Sequence, residues 1–341
     1  MAVTIKDVAR EAGVSISTVS KVVNKSSYIS EATAARVNDV IKKLDYAPNN
    51  RARSFKRRAT KNIVFLAYLR KDEAFTSPHV FEILCGINNS LKQKGYTITL
   101  MDVSDDEKLG ASAKTVISNQ SYDGMIVHGS AINSSVASLM VRSNFPHIVI
   151  AKPEFESQVC WLDTNNVLAG DIAARHLADC GANRLAFIAG TQNDGLNFDR
   201  ITGVKTAAKK LGLELNSSHI QYTDSSVEGS CKAVSKLLYA QNRPDAIVCA
   251  NNLIAIGTLK AIKKAGLSIP DEIQLITVDD YPYSRIMDPM PTVVNINVYE
   301  LGIQAGSMLL YKIKNPALQI QSYTTLPELI IRGTTGKRRA T

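Results

Sequence analysis

The sequence is poor in cysteine, and its five thiols, at Cys85, Cys160, Cys180, Cys231 and Cys249, form no C-x-x-C pair and no cluster with histidine. This excludes a disulfide scaffold and a thiolate metal site, and suits reduced core thiols. Long apolar runs are missing as well. None reaches the ~18–20 residues that a membrane-spanning helix needs. The opening Met1-Ala-Val-Thr-Ile-Lys-Asp7 does not have the pattern of a secretory signal, so a cytoplasmic protein is expected. There is no G-x-G-x-x-G after the first predicted strand, no Walker A loop, no H-E-x-x-H and no G-x-S-x-G. The common nucleotide-binding, metallopeptidase and serine-hydrolase chemistries are therefore not expected, nor is a metal or cofactor. The carboxylate run Asp105-Asp106-Glu107 falls in a polar strand–helix connection and reads as solvated surface.

What is present is uneven charge. The formal net charge is +9 over 341 residues, yet residues 1–60 alone hold twelve Lys and Arg against five Asp and Glu, a net +7. A basic module on a near-neutral body points to nucleic acid as the partner. The length exceeds one ordinary core and predicts two or three domains.

The basic module is patterned. Thr4 can cap a helix, and Val8, Ala9 and Ala12 continue the apolar spacing begun by Ile5. Gly13 ends that helix where a left-handed residue is needed. Ser15 caps a second helix running to about Asn24, with Val19, Val22 and Val23 on one face. Ser17, Lys21 and Asn24 lie on the other, and Ile16 sits at the exposed N-terminal end. Ser30 caps a third helix with the stripe Val37, Val40, Ile41, Leu44. Three short helices with a tight turn between the first two make a helix-turn-helix, whose second helix enters the major groove. There Lys21 can donate to guanine, Ser17 can donate or accept, and Ile16 can meet a thymine methyl.

The run Thr4-Ile-Lys-Asp-Val-Ala-Arg-Glu-Ala-Gly-Val-Ser-Ile-Ser-Thr-Val-Ser-Lys-Val-Val-Asn24, with Leu44-Asp-Tyr-Ala-Pro-Asn49, closely resembles the headpiece of the LacI/GalR family of transcriptional regulators. The resemblance implies that Ile16, Ser17 and Lys21 read bases, while Ser15, Thr18, Asn24, Tyr46 and Asn49 mainly position phosphates, and Thr4 is also counted among the DNA-binding residues. Lys21 stands where the family more often has Arg or His. Residues 49–61 match the family's hinge, a short segment too small to be a stable helix alone, which folds on the minor groove. Phe55 takes the wedge position usually held by Leu, or else packs on the body. Arg51, Arg53, Arg57 and Arg58 add phosphate contacts.

From Ile63 onward, short apolar runs alternate with amphipathic stretches: 63–69, 97–101, 124–128 and 148–150, then 184–189, 220–223, 246–250 and 273–278 as strands. Such alternation predicts an α/β body of two doubly wound, parallel-sheet subdomains. The body resembles the periplasmic-binding-protein-like sensor domain of the same family, notably in Val248-Cys-Ala-Asn-Asn-Leu-Ile-Ala-Ile-Gly257 and Leu275-Ile-Thr-Val-Asp279. The expected organisation is a DNA-binding domain at 1–48, a hinge at 49–61 and a sensor at 62–341. The sensor's subdomains are expected at about 62–161 plus 292–321, and 162–291 plus 322–341.

The resemblance places an effector between the subdomains, against His79, Val80, Asn165, Arg200, Asn251 and Asp279. Arg200 suits a hydroxyl pair, carboxylate or phosphate, and Asp279 a hydroxyl or amine. Other readings stand beside this: a salt bridge for Arg200 and Asp279, an ordinary helix start for His79, and cleft or core for Trp161. Asn252, and Asn165 in Asn165-Asn166, stand where the family commonly has Asp. The implied function is a repressor, not an enzyme. It would bind a palindromic operator in double-stranded DNA as a homodimer or higher oligomer. Its effector would be a sugar or sugar derivative, or alternatively a purine or other metabolite acting as corepressor.

Overall fold

Three helices, α1 (Ile5–Ala12), α2 (Ile16–Val23) and α3 (Glu31–Lys43), make up the start of the chain in this computed structural model. It describes residues 5–23, 29–44, 59–69, 78–104, 106–119, 121–192, 195–318, 320 and 322–337. They fall in two units, Met1–Ala59 and Thr60–Thr341.

In the first unit α1 stops at Gly13, whose φ is +63°. Val14 N donates to Ala9 O at 3.1 Å and Gly13 N to Arg10 O at 3.3 Å, the paired closure of a Schellman turn. Two residues on, Ser15 Oγ accepts from Thr18 N at 3.1 Å and starts α2. Val8, Ala9, Ala12, Val19, Val22 and Val37 are buried together, with Val40, Ile41 and Leu44 packed against them. The expected cap at Thr4 lies outside the described residues.

The second unit holds two six-stranded sheets. The first is built from β1 (Asn62–Ala67), β2 (Thr97–Asp102), β3 (Gly124–His128), β4 (His147–Ile150), β5 (Trp161–Thr164) and, late in the chain, β11 (Ser322–Thr325). The order is β11-β5-β4-β3-β1-β2, all parallel. Parallel strands are covered on both faces, which is why β1 reads Ile-Val-Phe-Leu-Ala without alternation. Its side chains still divide by parity: Ile63 and Phe65 join one core cluster, Val64 and Leu66 another. The helices of this half are α4 (His79–Lys92), α5 (Asp106–Ser118), α6 (Ser134–Ser143) and α11 (Val298–Lys314). Asp106 and Glu107, expected in a loop, are in the first turn of α5.

The second sheet comprises β6 (Leu185–Ala189), β7 (Ile220–Tyr222), β8 (Ala246–Cys249), β9 (Gln274–Val278), β10 (Thr292–Asn295) and β12 (Glu328–Ile330). Its order is β12-β10-β9-β8-β6-β7, parallel except for the antiparallel pair β10–β12. Its helices are α7 (Asn166–Asp179), α8 (Gly195–Leu211), α9 (Val227–Leu238) and α10 (Asn252–Lys264). Among the described residues, no helix is long and apolar enough to cross a membrane.

The chain passes between the sheets three times, after β5, after β10 and after β11. The expected boundaries near 161, 292 and 321 each need correction by one strand. Residues 162–164 and β11 belong to the first sheet and β10 to the second, because β5 and β11 pair with each other along their whole length and β10 pairs with β9 and β12. The crossings are tied side by side: Thr164 Oγ1 is 2.9 Å from Thr325 Oγ1 and 3.4 Å from Ile296 O, and Asn165 N donates to Thr325 O at 3.0 Å.

One close helix contact positions the cleft. A Cβ on Gly170 of α7 would collide with the Arg200 carbonyl of α8, and one on Gly203 with the Val167 carbonyl. The two backbones can approach only because both positions lack a side chain. Gly203→Ala should therefore force α7 and α8 apart and destabilise the sensor by about 1–3 kcal/mol. Urea unfolding of the full chain measures this, and an unchanged midpoint would remove the close contact from the argument.

Candidate functional site

On α2, Val19 and Val22 are buried while Ile16, Ser17 and Lys21 are exposed, Ile16 to 46%. The face that can meet a groove therefore carries one methyl-bearing, one hydroxyl and one cationic side chain. The hydroxyls near the helix start are partly engaged: Ser15 Oγ is 2.7 Å from Ser17 Oγ and 2.9 Å from Thr18 Oγ1. Ser15 is thus a cap first, and its phosphate role has to share that oxygen. Asn24, Tyr46, Asn49, Arg53 and Phe55, like Arg51, Arg57 and Arg58, lie outside the described residues.

The second site is in the sensor, where the ends of β1, β3, β5, β6, β8 and β9 meet. His79 begins α4, and its Nδ1 lies 3.1 Å from the Tyr281 hydroxyl. Its ring meets that of His128 edge-on, centroids 5.6 Å apart. Val80 packs on the apolar core of the first sheet instead of presenting a polar group. Asn165 and Asn251 are both helix N-caps, accepting from Leu168 N at 2.9 Å and Ile254 N at 3.0 Å. Their carbonyl oxygens are committed, which leaves the amide NH2 for a ligand.

Arg200 is buried, 5% exposed. Its Nε donates to Asn166 Oδ1 at 3.0 Å and Nη1 to Ala250 O at 2.7 Å. None of the ion pairs among the described residues joins it to Asp279. Asp279 has a φ of +75° and is 7% exposed, and its Oδ1 is buried without a hydrogen-bond partner. The neighbouring carboxylate behaves differently: Asp280 pairs with Arg332 at 2.8 Å and Arg285 at 3.1 Å. Two adjacent carboxylates thus divide into a structural one and an unsatisfied one.

The electrostatics follow from burial. Loss of water pushes the Asp279 carboxyl up to about 6, against the opposing pull of the Arg200 charge and a hydrogen bond from Tyr281. His79 is pushed down to about 3, by burial first and then by His128 and Arg200. Burial takes His128 down to about 4. Both rings are neutral at neutral pH, so Arg200 is the fixed positive charge facing Asp279. Among the described residues no three His, Cys, Asp or Glu converge to hold a metal.

Four residues that sequence reasoning did not select shape this site. Asn166 is the acceptor for Arg200. Asn252 donates to both Val278 O and Asp279 O at 2.8 Å, and its own Oδ1 has no partner. His128 and Tyr281 flank His79. The only signal available for Asn166 and Asn252 was their place in Asn-Asn pairs at strand ends. Trp161 takes the core reading, with one face on a side cavity that His79, Arg200 and Asp279 do not line. It packs on the first sheet's core and lines this cavity of about 230 Å³ with Lys152, Asp163, Asn165, Asn166 and Asp199.

Residues 4–49 match the family model described as "Bacterial regulatory proteins, lacI family", and residues 174–335 match the "Periplasmic binding protein-like domain". The "Ribose operon repressor" of Escherichia coli (strain K12) is 32% identical over 332 residues, covering 97% of this chain and 99% of that protein. The "HTH-type transcriptional repressor PurR" of Haemophilus influenzae (strain PittEE) is 29% identical, covering 96% and 97%. Two solved structures share the fold. A "transcriptional regulator CelR-cellobiose complex" has TM-score 0.73 at 24% identity, covering 97% of this chain and 99% of that one. A LacI family regulator from Enterococcus faecium with bound ribose has TM-score 0.68 at 20% identity, covering 82% and 100%. A helix-turn-helix followed by a cleft between two doubly wound halves defines a DNA-binding transcriptional regulator rather than an enzyme. The chain belongs to the LacI family of bacterial regulatory proteins.

Asp279 sets a pH dependence. Its raised pKa means that the native state holds an extra proton between about pH 4 and 6, so stability falls as pH rises through that window and stays lower above it. Asp279→Asn should gain stability over the wild type progressively from pH 4 to about 6.5 and then level off, on the order of 2–3 kcal/mol. Denaturation midpoints across pH measure it, and parallel curves for the two proteins would show that Asp279 is not the titrating group.

Proposed function

We propose that the protein is a repressor that binds a palindromic operator as a homodimer in the cytoplasm, and that a sugar or sugar derivative in the sensor cleft controls it. One headpiece meets each half-site through Ile16, Ser17 and Lys21. Phe55 of the hinge wedges the central base step from the minor groove, with Arg53 on the phosphates. The observation that carries the effector reading is the unpartnered Asp279 Oδ1, buried opposite Arg200 and His79. A buried acceptor without a donor costs about 1–3 kcal/mol. A ligand hydroxyl supplies the donor while other hydroxyls use the Asn165 and Asn251 amides. Relatives named for ribose and a fold neighbour with bound ribose support this choice.

A purine or other metabolite acting as corepressor is the alternative reading of the same cleft. Relatives named PurR agree with it. In either case the effector changes operator affinity only by its differential affinity for two states of the protein.

Selection from a random duplex library at fixed moderate salt tests the DNA half. The expected product is a palindrome with a flexible central pyrimidine–purine step, and Lys21→Ala should lose about 1–3 kcal/mol of discrimination at one symmetric base pair. An asymmetric or absent motif, with and without added sugars and nucleobases, would overturn it. Arg200→Ala should keep operator affinity and lose the effector response. A full response in that variant removes Arg200 from the site.

A further inference from the structure

Tyr281 follows β9 in the second half of the sensor, yet its ring is buried in the core of the first half. It is 7% exposed and clusters with Ile63, Ile83, Ile87, Val298 and Leu301. Its hydroxyl is 3.1 Å from His79 Nδ1, and it lies close enough to the Asp279 carboxyl to hold down that group's raised pKa. A phenol can both donate and accept, so it can pair with the neutral imidazole whichever of its nitrogens carries the proton. This bond joins a residue that follows β9 to one at the start of α4, on opposite walls of the cleft. A second link crosses nearby, where Glu154 Oε1 accepts from Gly195 N at 2.8 Å. One cavity lies between α9 and α10 and another beside β5 and α7, and neither is lined by His79, Arg200 or Asp279.

We propose that Tyr281 is a built-in occupant of the effector cleft: its phenol holds the halves together without effector, and the effector binds by taking the phenol's place between His79 and Asp279. This inference rests on the reading that the cleft takes an effector. The displaced hydroxyl explains why the site is polar at both walls while closed. The Tyr281 contact is made inside one chain, so the effector competes with a tethered group whose local concentration is fixed. The apparent affinity for effector is then the intrinsic affinity reduced by the fraction of molecules with Tyr281 withdrawn.

The one tryptophan of the sequence, Trp161, lines the cavity with Asp199 of α8 and therefore reports separation of the halves. Acrylamide quenching of Trp161 is measured in full-length wild type, Tyr281→Phe and Tyr281→Ala, with circular dichroism as a check on folding. Tyr281→Phe keeps the ring and removes only the hydroxyl. Both variants should show stronger quenching than wild type. p-Cresol should return Tyr281→Ala towards the wild-type value, and toluene, lacking the hydroxyl, should not.

In parallel, D-ribose and hypoxanthine are titrated calorimetrically. Whichever binds the wild type should bind Tyr281→Phe at least about fivefold tighter, the scale of one lost competing hydrogen bond. Equal quenching in wild type and Tyr281→Phe, with no effect of p-cresol, overturns the proposal. If a probe then binds both proteins alike, the effector reading survives without the tyrosine. If quenching rises and p-cresol reverses it while neither probe binds any variant, Tyr281 is the occupant and the ligand class is what fails.

Discussion

The amide of Asn252 is the fixed point of the cleft. Buried at the start of α10, it donates to the carbonyls of Val278 and Asp279 and holds the end of β9. Asp279 turns there with φ +75°, a conformation that a residue with a side chain adopts only when its surroundings impose it. Asp280, tied to Arg332 of the segment after β12, braces the next residue. Between these two restraints the chain carries Tyr281 across to His79. An aspartate at position 252 would have no NH2 to offer those carbonyls. The departure from the family's usual residue is therefore part of how this cleft is built.

The same neighbourhood separates charge from polarity. His79 and His128 are neutral through burial, Asp279 is half-way to neutral near pH 6, and Arg200 is anchored by neutral acceptors instead of a carboxylate. With Asp163 and Glu82 also close enough to act on the site, the charge of Arg200 thus faces the titratable carboxyl of Asp279, in surroundings where each charge is worth more than in water. A neutral ligand with several hydroxyls can meet both without bringing a charge that must itself be desolvated.

Much of this was legible from the chain, for local reasons. Gly13, Ser15, Ser30 and the valines of α2 act within one or two turns of their own position, so caps and periodicity place the headpiece directly. The body's alternation of strand and helix is equally local. The crossings were misplaced by one strand because β5, β10 and β11 are four residues each, and Ser322-Tyr-Thr-Thr325 has no apolar side to announce a sheet. Within the site, Arg200 and Asp279 came from resemblance, whereas Tyr281 touches His79 across 202 positions and Asn252 holds carbonyls 26 and 27 positions away. Side chains whose role is defined by a distant partner leave no spacing to read.

The three crossing segments have a mechanical consequence. Thr164, Ile296 and Thr325 lie against one another through hydroxyl and carbonyl contacts, so the halves are joined by a ribbon three chains wide. A single connecting strand would act as a swivel, free to twist, bend and slide. Three abreast resist torsion and shear and yield mainly by folding about the line across their width. The sensor therefore behaves as a leaf hinge with essentially one soft degree of freedom, and a small molecule wedged at one edge is converted into a rotation of defined axis instead of a general loosening.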